Sequence, residues 1–131
     1  MEDSVFTKII KGDIPSHKVY EDEKTMAIMD IHPIQPGHVL VFTKIQVEDF
    51  FALPDEDYQA FAETIKKVAA RLKAVYPEKK RIGVQIEGLD VPHVHAKIFP
   101  IDSGADFHHI PDQDAEPNHA ALAEIAKKLA F

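Results

Sequence analysis

The residues with the most chemistry to offer lie in Val91-Pro-His-Val-His-Ala-Lys-Ile-Phe-Pro100, which spaces His93, His95 and Lys97 two apart among apolar neighbours. In an extended segment alternate side chains share a face, so these three project together while Val94, Ala96 and Ile98 line the other side. Two imidazoles and an ammonium make a poor core face, and three readings fit such a row. The plainest is a pair of satisfied or surface histidines on an edge strand. A second is a metal site, since neutral imidazole is the commonest metal ligand. Its further ligands would come from His38, His32 or His108-His109, and Lys97 opposes it by repelling a dication. The third is phosphate chemistry, in which a neutral His95 attacks phosphorus while cationic groups hold the oxygens. The chain has neither a glycine-rich phosphate loop nor a serine or cysteine nucleophile signature, which leaves histidine as the evident covalent catalyst.

These residues must be positioned by the elements around them. Ser4 to Lys11 reads as a short helix stopped by Gly12 and Pro15. Lys18–Tyr20, Met26–Asp30 and Val39–Thr43 are rich in strand formers, and the last two flank a loop, Ile31-His-Pro-Ile-Gln-Pro-Gly-His38. That loop delivers His38 to the start of a strand, and Asp30 closes the strand before it, a position that suits a cap as well as a ligand. Leu53-Pro-Asp-Glu-Asp opens the clearest helix, with Pro54 in its first turn and three carboxylates at its positive end. Apolar residues recur along it at Tyr58, Phe61, Ile65, Val68, Leu72 and Val75, and it ends before Pro77. Arg81–Glu87 alternates as a half-buried strand, Gly88-Leu-Asp90 is a tight connection, and residues 101–118 are polar and irregular. Ala120–Phe131 forms a short terminal helix. Strands with separated helices imply an α+β sheet domain, not a βαβ series.

A chain of 131 residues, 45% hydrophobic and 28% charged, is long enough to bury a core as a single domain. The net charge of −7 argues against coating nucleic acid. Without cysteine there are no disulfides or thiolate metal sites. The N-terminal Met-Glu-Asp-Ser is unlike a signal peptide, and no apolar run approaches the ~20 residues that span a bilayer, so a cytoplasmic protein without membrane contact is expected.

Taken together, the motifs resemble the histidine-triad (HIT) superfamily and its Hint-like branch. Phe6-Thr-Lys-Ile-Ile-Lys-Gly-Asp-Ile-Pro15 with Val19-Tyr-Glu-Asp22 is similar to the family's N-terminal segment. Met29-Asp-Ile-His-Pro-Ile-Gln-Pro-Gly-His-Val-Leu-Val41 resembles its nucleotide-binding loop and strand, and Val91–Lys97 its histidine signature. The resemblance implies an antiparallel sheet of about five strands with one long and one or two short helices, spanning a core of residues 4–100 and a C-terminal extension 101–131. It implies a homodimer in which such an extension can reach the neighbouring pocket. It also implies a purine nucleoside monophosphate or conjugate as ligand, and a nucleotidyl-histidine mechanism that needs no metal or other cofactor. By position His95 is the nucleophile, His93 supports the phosphate site through backbone and ring, and His38 orients the cluster. Asp30 bonds the ribose hydroxyls, while Phe6, Ile9, Ile31 and Leu40 surround the base.

The chain also departs from the family pattern. Lys97 stands at the third triad position, where it can neutralise a phosphate oxygen or donate a proton. Gln46 replaces a further histidine. Gly88-Leu89-Asp90 replaces the Gly-Gln-Ser that touches phosphate, and Asp90 repels phosphate unless it is turned away or paired. An asparagine counterpart has no clear place, with Gln85 or Glu87 as substitutes. The activity the resemblance implies is hydrolysis of a purine nucleoside 5′-phosphoramidate or related AMP conjugate. The rival from another class is a nucleotide-binding module without turnover, and a zinc hydrolase is the third.

Overall fold

Thr25-Met-Ala-Ile-Met29 shows no polar alternation because the sheet it belongs to is covered on both faces, and all five residues are buried. In the computed structural model, which describes residues 2–131, five strands run β1 (Lys18–Glu21), β2 (Thr25–Met29), β3 (Val39–Thr43), β4 (Arg81–Gln85) and β5 (His95–Ile101). They form one sheet in the order β1-β2-β3-β5-β4, and every neighbouring pair is antiparallel. Among the described residues four α-helices accompany it, α1 (Val5–Ile10), α2 (Asp55–Val75), α3 (Gly104–Phe107) and α4 (His119–Leu129), with a 3-10 turn at Phe50–Ala52. The architecture is thus the α+β antiparallel sheet anticipated, with two short helices and an 11-residue terminal one beside the long α2.

Strand alternation sorts the sheet residues. Ala27, Met29, Val39, Val41, Ala96 and Ile98 face α2 and α4, where they meet Phe61, Val68, Leu72, Leu122 and Leu129. Met26, Ile28 and Phe42 face the other way, onto Phe6 and Ile9 of α1. The stripe on α2 is shifted from the sequence reading: Tyr58 is exposed, and Thr64 takes a buried place instead. Thr64 is satisfied there by a 2.7 Å hydroxyl contact with Thr25.

Two boundaries differ from the expectations in a way that matters. Strand β4 stops at Gln85, so Glu87 lies beyond its ladder. The histidine segment is not one extended strand from Val91. Residues 89–93 bend, His93 N–H donates to the Val91 carbonyl at 2.8 Å, and pairing begins with Phe42 opposite His95. Pro92 and the tight connection before it break the extended run. Gly37 explains how the preceding loop reaches His38. Its φ is +91°, and a Cβ there would lie 2.8 Å from the Tyr76 ring, so only glycine fits.

Candidate active site

The far face of the sheet carries the chemistry. Alternation on β5 puts His95, Lys97 and Phe99 on this face, and on β3 it puts His38, Leu40 and Phe42 there. Helix α1 covers one end of the face, with Phe6 stacked on Phe42 at 4.5 Å between ring centroids and set edge-on to His95 at 5.0 Å. Beside it opens a cavity of about 300 Å³. Phe6, Ile9, Asp30, Ile31, Leu40, Asp90, His95 and Lys97, all expected site residues, line it together. His93 and His38 stand behind the wall, buried at 0% and 1% exposure.

Hydrogen bonds fix the protonation pattern of the histidines. The ring of His93 uses both nitrogens inside the protein: Nε2–H donates to the Thr43 carbonyl at 2.6 Å, and Nδ1 accepts from the Ser4 hydroxyl at 2.6 Å. Ser4 is itself the N-cap of α1, its Oγ accepting from Thr7 N–H at 3.1 Å. The carbonyl of His93 accepts the Nδ1–H of His95 at 2.7 Å. A neutral His95 with its proton on Nδ1 presents a lone pair at Nε2, and that atom has no hydrogen-bond partner among the described residues. So His93 touches the site through its backbone, while its ring anchors α1 to β3 and makes no contact with the cavity. With both ring nitrogens engaged, His93 also makes no chelate with His95. Among the described residues no three histidine, cysteine or carboxylate side chains gather to hold a metal ion.

His38 lies against Phe99, with ring centroids 5.2 Å apart, and its Nδ1 accepts the Ile34 N–H at 2.9 Å. Its Nε2 is 3.5 Å from the Asp30 carboxylate, too long for a hydrogen bond, and has no other partner among the described residues. Burial drives its pKa down to about 3, so the ring is neutral at pH 7 and the contact with Asp30 is not an ion pair. Burial also lowers the pKa of His95, with Lys97 adding to the effect, and lowers that of His93. Both triad imidazoles therefore stay neutral in the neutral range. Burial raises the Asp30 carboxyl, opposed by the 2.8 Å bond it accepts from His32 N–H.

Several participants were not visible in the sequence. Gln46, expected only as a departure, clamps α1 by accepting from Ser4 N–H at 2.9 Å and from the Thr7 hydroxyl at 2.6 Å. Ser4 could be read as a cap, but its bond to His93, 89 positions away, had no local signal. The C-terminal segment lies along this chain's own cavity. Gln113 lines it, His32 Nε2–H donates to the Ala115 carbonyl at 2.9 Å, and Gln35 and Gln85 donate to the carbonyls of Asp106 and Phe107. Lys97 reaches Glu87 at 2.9 Å.

A family model for the HIT domain matches residues 11–104, which include the loop before His38, all five strands and the histidine signature. The chain belongs to the HIT family. It is 34% identical to the protein hit of Bacillus subtilis, over 98% of this chain and 96% of that one. It is 36% identical to an adenosine 5′-monophosphoramidase of Schizosaccharomyces pombe, over 73% and 72% of the two chains. Among solved structures, a Hit-like protein from Bartonella henselae, involved in cell-cycle regulation, superposes with a TM-score of 0.83 at 30% identity, over 97% of this chain and 93% of that one. This HIT protein thus shares its fold with relatives along nearly its full length. Among the described residues no helix is long and apolar enough to cross a membrane.

Proposed function

We propose that this HIT protein hydrolyses a purine nucleoside 5′-phosphoramidate, or a related AMP conjugate, through a nucleotidyl intermediate on His95. The observation that carries this reading is the tautomer of His95. The carbonyl of His93 holds its Nδ1–H, and Nε2 is left with a lone pair in a residue that lines the cavity. The name carried by the fission yeast relative supports the substrate class.

The cavity supplies the rest. Phe6, Ile9, Ile31 and Leu40 offer a slot for a flat base, and Asp30 at its rim offers a carboxylate to the ribose hydroxyls. A phosphate beside Lys97 then meets His95. Attack by Nε2 on phosphorus forms the P–N bond to the enzyme and breaks the P–N bond to the leaving amine. The ring becomes cationic as it bonds, and the Nδ1–H to carbonyl contact strengthens with that charge. Water then displaces the imidazole and releases the nucleoside monophosphate.

Exposed Val84 and Ile86 on edge strand β4 and just after it, with Leu89 close by, support a homodimer formed along that edge. A cytoplasmic setting fits the reading.

The test is hydrolysis of adenosine 5′-phosphoramidate by the purified protein and by His95→Ala, with chelator present in both. Turnover lost in the variant, with AMP still bound, is the expected result. Equal turnover by both proteins refutes the His95 mechanism. AMP binding without turnover by either assigns a binding module instead.

A further inference from the structure

We propose that Glu87 is a positioning residue that holds Lys97 in the place of the third triad imidazole, so that the lysine ammonium protonates the departing nitrogen. This rests on the phosphoramidate hydrolysis reading given above.

The geometry comes from the end of one strand and the middle of another. Lys97 pairs with Gln85, the last residue of β4, and Glu87 lies two residues beyond that pair. Its carboxylate reaches Nζ at 2.9 Å. Gly88 follows with φ at +69°, which turns the chain away immediately after Glu87. The Lys97 side chain is only 18% exposed and lines the nucleotide cavity with His95 and Asp90, whereas Glu87 is 41% exposed and approaches from outside. An ammonium has three N–H donors, and Glu87 takes one of them. The other two are left for the cavity. A lone surface ion pair contributes little to folding, so a pair built into the wall beside the nucleophile calls for another role.

That role follows from the chemistry of the leaving group. An amine anion does not depart from phosphorus, so the P–N bond breaks as the nitrogen receives a proton. Lys97–NH3+ gives that proton and becomes the amine. When water attacks the His95–phosphorus bond, Lys97 takes the proton that water loses and is restored. No other reactant is needed. The charged and titratable groups facing Lys97 are Glu87 after β4, Asp90 in the 89–93 bend, Asp30 at the end of β2, His38 on β3 and His95 on its own strand. His108 and His109 flank it from the C-terminal segment.

The experiment measures kcat and KM on adenosine 5′-phosphoramidate for the wild type, Lys97→Met, Glu87→Gln and Glu87→Asp. Lys97→Met should lose about 100-fold in kcat, and far less on an AMP p-nitrophenyl ester, whose phenolate departs without a proton. Glu87→Gln should lose roughly 10-fold in kcat with KM nearly unchanged, and Glu87→Asp should recover part of it. A Glu87→Gln variant with unaltered kcat overturns the proposal. An equal Lys97→Met loss on both substrates overturns the donor role. Those failures leave the His95 mechanism standing, whereas absence of wild-type turnover overturns the hydrolase reading and this proposal with it.

Discussion

The hydroxyl of Ser4 performs two jobs at once, and replacing it should separate them. It caps α1 by accepting from Thr7 N–H at 3.1 Å, and it donates to the otherwise unpaired Nδ1 of His93 at 2.6 Å. Loss of a serine N-cap costs about 1 kcal/mol when alanine replaces it and only a few tenths when glycine does. A buried acceptor left without its donor costs about 1–3 kcal/mol, and His93 is fully buried. Ser4→Gly should therefore destabilise the protein by about 1–3 kcal/mol through His93 alone, and Ser4→Ala by about 2–4 kcal/mol through both terms. Urea unfolding followed by circular dichroism measures this, with Ser4→Ala moving the midpoint down by roughly 1–2 M. Nitrogen NMR on the same samples reads the ring directly. The wild type should show His93 as the Nε2–H tautomer, and the Nδ1 resonance should move in both variants. A Ser4→Gly protein within about 0.5 kcal/mol of wild type, with an unmoved Nδ1 resonance, would refute the link between α1 and the triad.

Acid should destabilise this protein from the histidine range downward. An unfolded histidine binds its proton near pH 6.5, while folded His38 does so only at about 3. Between those values the unfolded chain holds the extra proton, so stability is complete above pH 6.5 and falls as the pH drops toward 3, by on the order of 4 kcal/mol from His38 alone. His93 and His95 act in the same direction and Asp30, raised by burial, in the opposite one. Urea midpoints that stay constant from pH 7 to 4 would contradict this account. For the proposed dimer, light scattering should give twice the chain mass for the wild type, and Val84→Lys, on the exposed edge of β4, should give the chain mass.

Much of this protein was legible in its sequence because the relevant signals are local. Strand formers on β3, alternation along β5, a period near 3.6 on α2 and the glycine–proline loop before His38 pointed to the elements and to the face that His95 and Lys97 share. The spacing of His93, His95 and Lys97 against the family pattern named the nucleophile candidate and the departure beside it. Strand β2 was legible only from its strand-forming residues, since a strand with two covered faces has no alternation to read. Only the tertiary structure decided which nitrogen of His93 carries its proton, because its partners are a carbonyl on β3 and a hydroxyl at the start of α1, 50 and 89 positions away. It likewise decided that the His93 ring anchors the wall from behind, that the C-terminal segment lies along its own cavity, and that Glu87 reaches Lys97. Local pattern states what a residue is able to do. Its protonation and orientation depend on burial and on partners brought in by the fold, which no spacing along one strand records.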